Sequence, residues 1–329
     1  MFSFSFIIDR DVCFAYWVQS LIKWGWYFSR QKADFYLKFV GPLTQNEQDT
    51  LEALKLILQK DKHGFLWLWA RYAGEPIKDK TEESQWGAVQ TAFKQKFEIV
   101  WDLELPLLES WKNLLQGVLP DTRKFDQAFN KIFLFYSVIP FDAALEVKFA
   151  SHWNSDTPVA HVKQEYPSAI LLALSRTKRE KLATVVNTIL HEACHKIDYQ
   201  SSISDKLIKD AWERILSPLN IKLERDYKWK HLLKETVLYT MASGGVSHNY
   251  LERIAAERMG EIFKIEQKPL KENVKKDNYG ELIALAASRI EPMVSQYLDT
   301  GKQMDSTLAD AVAQVWGELL GSSGGQSRG

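Results

Sequence analysis

Within an apolar segment that runs to about Ile197, the chain reads His191-Glu192-Ala193-Cys194-His195. Placed on a helical wheel, Val186, Ile189, Leu190, Ala193 and Ile197 share one face, and Thr184, Asn187, Thr188, His191 and His195 share the polar stripe beside it. A helix of this kind packs on one side and lines a cleft with the other. Residues four apart lie one above the other, so His191 and His195 can present two imidazoles to one zinc ion. Glu192 sits next to a ligand, where it can act as general base toward a metal-bound water. The spacing predicts a helix from about Thr177 to Ile197 and the hydrolysis of a peptide or protein substrate.

A hydrolytic zinc site takes three protein ligands and keeps a position open. One extended form of the motif has glycine three residues past the second histidine and histidine six past it. Asp198 and Ser201 stand at those places, so that form is excluded. Only His231 and His248 remain downstream, which makes a glutamate the natural third ligand. Glu213, Glu224, Glu235, Glu252 and Glu257 are the candidates, with Asp226, His231 and His248 as substitutes. Glu235 is preferred because its helix neighbours are His231, Leu232, Leu238 and Tyr239, and an unpartnered carboxylate on so apolar a face would be costly. Glu213, among Lys209, Asp210, Leu216 and Ser217, is the runner-up in a more solvated setting. Tyr239, one turn past Glu235, is the first candidate to stabilise developing oxyanion charge, with His231 and His248 as alternatives and aromatic packing as the plain reading. Asp198, Asn187 and Asp226 are candidates to orient the ligand histidines.

Around this centre the chain divides by texture. The first 128 residues are expected to form a mainly helical, Trp-rich domain, with helices over 47–60 and 82–117, the second interrupted near Pro106. Eight of the twelve tryptophans fall here (Trp17, Trp24, Trp26, Trp67, Trp69, Trp86, Trp101 and Trp111), as core filler or as a binding surface. Residues 129–320 are expected to form the second domain. Its strands fall at Lys131–Ser137, Ala144–His152 and Ala169–Ser175, and its later helices over 203–216, 229–243, 248–265, 278–297 and 303–320. Gly244-Gly245 marks a helix end, Ser247 can cap the next helix, and 321–329 form a flexible tail.

Forty-two basic residues balance forty-two acidic ones, and that neutrality disfavours a nucleic-acid partner. No apolar run approaches a membrane span, and the N-terminus lacks the pattern of a secretory signal. A cytoplasmic protein is expected. Cys13 and Cys194 make no disulfide framework, and Cys194 reads as a small buried filler.

The pair His191 and His195 enclosing Glu192, followed by a glutamate within Leu233-Lys234-Glu235-Thr236-Val237-Leu238-Tyr239, resembles the gluzincin metallopeptidases. The similarity spans the motif helix and one later helix. Lys234 and Tyr239 stand where the thermolysin-like members carry asparagine and aspartate. The resemblance implies an α+β, zincin-like domain with a small mixed sheet and an active-site helix, zinc held by His191, His195 and Glu235, and Ala169–Ser175 as a cleft-edge strand that pairs with extended peptide. A non-catalytic zincin-like protein that binds a partner through the Trp-rich half is the alternative.

Overall fold

The structure, a computed structural model, describes residues 2–22, 30–60, 70–119, 123–152, 159–163, 166–175, 182–220, 223, 229–242, 249–251, 253–254, 274–275 and 278–321. It is mostly helical with one small sheet, broadly an α+β architecture. Two compact units emerge. One comprises Met1–Phe2, Asp121–Ala143 and Lys181–Gly329; the other comprises Ser3–Pro120 and Ala144–Glu180. This differs from the expected division at residue 128. The strands after residue 143 cluster with the N-terminal helices, because strand pairing joins segments that are distant along the chain.

The sheet-bearing unit contains helices α1 (Arg10–Ile22), α2 (Arg30–Val40), α3 (Gln45–Lys60) and α4 (Lys80–Val118). Its strands are β1 (Phe2–Ile7), β2 (Ala143–His152), β3 (Val159–Lys163) and β4 (Tyr166–Ser175), in the spatial order β1-β2-β4-β3. β2 runs parallel to β4, with Glu146 opposite Ala169 and His152 opposite Ser175, while β3 is antiparallel to β4. Every residue from Ala169 to Leu174 is buried. A strand covered on both faces reads as a continuous apolar run, as this one does. β1 is a strand the sequence reading missed, although its Phe-Ser-Phe-Ser-Phe alternation has the period of two that a half-buried strand requires.

The expected break at Pro106 is absent, since α4 is one helix through that residue. Asp79 caps its start by accepting from the N–H groups of Thr81 and Glu82. Buried Phe93, Phe97 and Val100 precede the proline and buried Leu108, Trp111 and Leu115 follow it, so packing on both sides outweighs the lost hydrogen bond. Trp17 is wholly buried, 5.7 Å by ring centroid from both Phe93 and Phe97. That supports the core-filling reading for this tryptophan. Trp24, Trp26, Trp67 and Trp69 lie outside the described residues.

The second unit is helical: α5 (Arg123–Phe135), α6 (Leu182–Tyr199), α7 (Ser202–Ala211), α8 (Trp229–Met241), α9 (Tyr279–Thr300) and α10 (Ser306–Gly321). The strand expected over 131–137 is the end of α5. Phe125, Phe129, Ile132, Phe133 and Tyr136 are all buried and recur at helical spacing, a pattern that outlasts the short aromatic run that resembles a strand. Ser137, at φ 55, ends this helix, with Ser137 N–H donating to Leu134 and Val138 N–H to Phe133. The segment expected to be helical over 203–216 continues from α7 into a π-helical turn at Trp212–Leu216. α8 packs against α6, α7, α9 and α10, and its Thr236 hydroxyl accepts a 2.8 Å hydrogen bond from the buried Trp316 indole of α10. Most of the expected 248–265 helix and the tail from 322 onward lie outside the described residues, as do Gly244, Gly245 and Ser247. No helix among the described residues is long and apolar enough to cross a membrane.

Candidate metal centre

The site is built on α6 and α8, both in the helical unit. α6 is held by buried Val185, Val186, Ile189, Leu190, Ala193, Cys194 and Ile197, which leaves His191 and His195 on the adjoining face. α8 is nearly all buried along its middle, and Glu235 lies within that buried stretch. Its two carboxylate oxygens divide between the histidines: Oε2 is 3.4 Å from His191 Nε2, and Oε1 is 3.1 Å from His195 Nε2. The ligand-competent atoms of these three residues all lie within 4.8 Å of one another, so the group can hold a metal ion. The imidazole planes are nearly perpendicular, at 88°, with ring centroids 4.7 Å apart, so the rings meet edge to face.

His191 is oriented by main chain. Its Nδ1 lies 2.5 Å from the carbonyl of Ala242, just past the end of α8. With Nδ1 turned to that carbonyl, Nε2 is the ring nitrogen that faces Glu235. The His195 ring stacks on Tyr199, one helical turn on, with centroids 5.6 Å apart.

Electrostatics couple the three groups. Burial pushes the Glu235 carboxyl up, but the charges and hydrogen bonds of His195 and His191 prevail and hold it well below the usual carboxylate range. Burial pulls His195 down, yet Glu235, with Glu192 and Asp198 adding to it, raises the imidazole to about 9. His195 and Glu235 therefore form an ion pair within the group. Between the ordinary value near 6.5 and about 9, the metal-free protein carries a proton on His195 that a metal must displace. Metal affinity is expected to rise with pH, by up to about tenfold per unit, and to level off above about 9. Near pH 7.5, binding releases about one proton. Calorimetry in two buffers of different ionisation enthalpy measures that number, and an apparent enthalpy that is the same in both contradicts it.

The other expected residues divide clearly. Glu192 is 5% exposed, and its charge adds to the rise in both His195 and the buried Cys194 thiol, which places it beside the site while His191, His195 and Glu235 supply the donors. The Tyr239 ring centroid is 5.3 Å from that of His191. His231 places Nδ1 3.6 Å from Glu235 Oε1 and is more than half exposed. Glu213 is no part of the group: it is exposed on the π-helical turn and pairs with Lys209 at 3.6 Å. Asp198 is nearly inaccessible and engaged with Ser204 and Lys234. Asn187 is buried, and neither of its amide atoms has a hydrogen-bond partner among the described residues. Glu224, Asp226, His248, Glu252 and Glu257 lie outside the described residues.

No family model matches the chain, and no curated protein and no solved structure matches it. The chemistry must be read from the residues themselves. Three contributors escaped the sequence reading. The Ala242 carbonyl is a main-chain group and has no sequence signature. Tyr199 was legible as the residue four past His195. Tyr136, beyond the end of α5, is buried, and burial together with the charges of Asp198 and Glu235 pushes its phenol well above the ordinary value. Nothing local to residue 136 signals that proximity.

Proposed function

We propose that the chain is a zinc-dependent peptidase of gluzincin type, with His191, His195 and Glu235 as ligands and Glu192 as general base. The observation that carries this reading is the spacing of the donors. Ligands about 2.0–2.1 Å from a tetrahedral zinc ion lie roughly 3.3 Å from one another. One donor atom from each of the three residues lies within 4.8 Å of the others, with His191 and His195 at 3.4 and 3.1 Å from different oxygens of Glu235, so a small adjustment of the side chains would bring the set to that spacing. A two-nitrogen, one-carboxylate set also suits a catalytic site, because it leaves a coordination position for water or substrate.

A zinc ion held by His191, His195 and Glu235 would supply the positive charge that lowers the pKa of a bound water and polarises a carbonyl. The chain's own residues do the rest. Glu192 follows His191 directly, so the helix places its carboxylate beside the centre, where it takes a proton from the attacking water and delivers it to the leaving amine. Ala242 keeps the His191 proton on Nδ1, away from the metal. Tyr239, whose ring lies 5.3 Å by centroid from that of His191, would donate toward the developing oxyanion. His231 is the alternative donor.

The test is hydrolysis of a mixture of internally quenched peptides by purified protein, with and without chelator. Cleavage that stops with chelator and returns with zinc is expected. Stoichiometric zinc with no cleavage of any peptide would overturn the peptidase reading while leaving the metal site intact.

A further inference from the structure

Lys234 precedes Glu235 on α8, and its ammonium does not reach solvent freely: only 12% of the side chain is exposed. Nζ lies 2.6 Å from Asp198 Oδ2 on α6 and 2.5 Å from Asp205 Oδ1 on α7. Each carboxylate is held from a second side. Ser204 Oγ donates to Asp198 Oδ1 at 2.7 Å, and Lys230 pairs with Asp205 Oδ2. The Ser204 main-chain N–H in turn donates to Ser201 Oγ, whose hydroxyl donates to the carbonyl of Tyr136. Two ammonium groups meet two carboxylates, so the network is neutral. Burial pulls Lys234 down, but the two aspartates prevail and keep it charged.

The placement of this network matters more than its energy. Asp198 is three residues past His195, and Lys234 is one residue before Glu235. One ion pair therefore ties the helix bearing two ligand residues to the helix bearing the third. A buried ion pair is a poor source of stability, since desolvation offsets most of its attraction, but it tolerates few arrangements and so selects one helix register. Rotating α8 by a single residue would swing Glu235 about 100° away from the imidazoles.

We infer that Lys234, clamped between Asp198 and Asp205, is a positioning residue that holds Glu235 in register with His191 and His195. This inference rests on the metal-site reading above. It assigns no contact with substrate or metal to Lys234. The register comes from its charge, so arginine retains the function and methionine, similar in length, does not.

The experiment compares wild-type protein with Lys234→Arg, Lys234→Met and the double variant Lys234→Met/Asp198→Asn, which leaves no unpaired charge on α6. Zinc affinity is measured by chelator competition, and ligand geometry by the visible absorption of the cobalt-substituted protein. Circular dichroism checks folding. Lys234→Met and the double variant are expected to bind zinc about 10–100-fold more weakly, the range for groups that orient metal ligands, with altered cobalt bands. Lys234→Arg is expected to restore both readouts. Should Lys234→Met fail to fold, the double variant decides. Wild-type affinity and an unchanged cobalt spectrum in a folded methionine variant overturn the proposal alone, as does a loss that arginine fails to restore. A wild-type protein that binds no metal overturns the site reading and this inference with it.

Discussion

Glu192→Gln is expected to lower kcat/KM for peptide hydrolysis by about 10²- to 10⁴-fold while the protein still binds its metal. The amide has the size and polarity of the carboxylate, so a side chain that is 5% exposed keeps its packing. It cannot accept the proton from water, and that proton transfer is the whole of the difference. Activity is measured on a peptide that the wild-type protein cleaves, and metal by elemental analysis of the same sample. Loss of metal in this variant would make Glu192 a ligand or a structural partner instead of a base. Unchanged turnover would remove it from the chemistry.

Glu235→Ala is expected to strip the centre. The carboxylate faces both imidazoles, so its removal leaves a two-histidine site on α6 alone. The loss of affinity should exceed the roughly 10–100-fold seen when only an outer, orienting group is lost. It should also bring His195 back toward its ordinary value, because the carboxylate is the largest influence raising it. Histidine titration by NMR in metal-free protein reads that second effect independently of any activity. Glu213→Ala serves as the control, since that residue lies on the exposed π-helical turn and should leave both metal content and the titration unchanged. Stoichiometric zinc in Glu235→Ala would mean that another residue completes the site.

Local periodicity made much of the centre legible. His191, Glu192 and His195 are fixed by a single helix, and the stripe they occupy follows from residues within two turns of them. Glu235 was accessible by a different argument, the cost of a carboxylate on an apolar face, and the structure places it against both histidines. Contacts between distant segments were not accessible. The clamp through Lys234 joins residues 198, 205 and 234: in the sequence Asp205 and Lys234 are ordinary charged helix positions, and Asp198 is a candidate partner of the ligand histidines and not of a lysine. The same limit explains the division into units. β2 and β4 pair with each other and join the N-terminal helices, although in sequence they adjoin the motif helix. The misread strand over 131–137 has a narrower cause: a seven-residue window sees aromatic density, whereas the buried positions from Phe125 to Tyr136 reveal the helical period.

The acceptor for the His191 ring is the Ala242 carbonyl, one of the groups that a helix terminus leaves without an internal partner. An alanine scan would pass over this contact, since no side-chain replacement deletes a main-chain oxygen. What alters it is length. Inserting or removing one residue in the last turn of α8 would move the acceptor while leaving every chemically recognisable residue in place. Position 242, fully buried, should therefore be permissive in chemical type among small residues, and the count of residues between Glu235 and Ala242 should not vary. In relatives of this chain, that interval of six residues is a more telling mark of a working centre than the identity of the residue at its end.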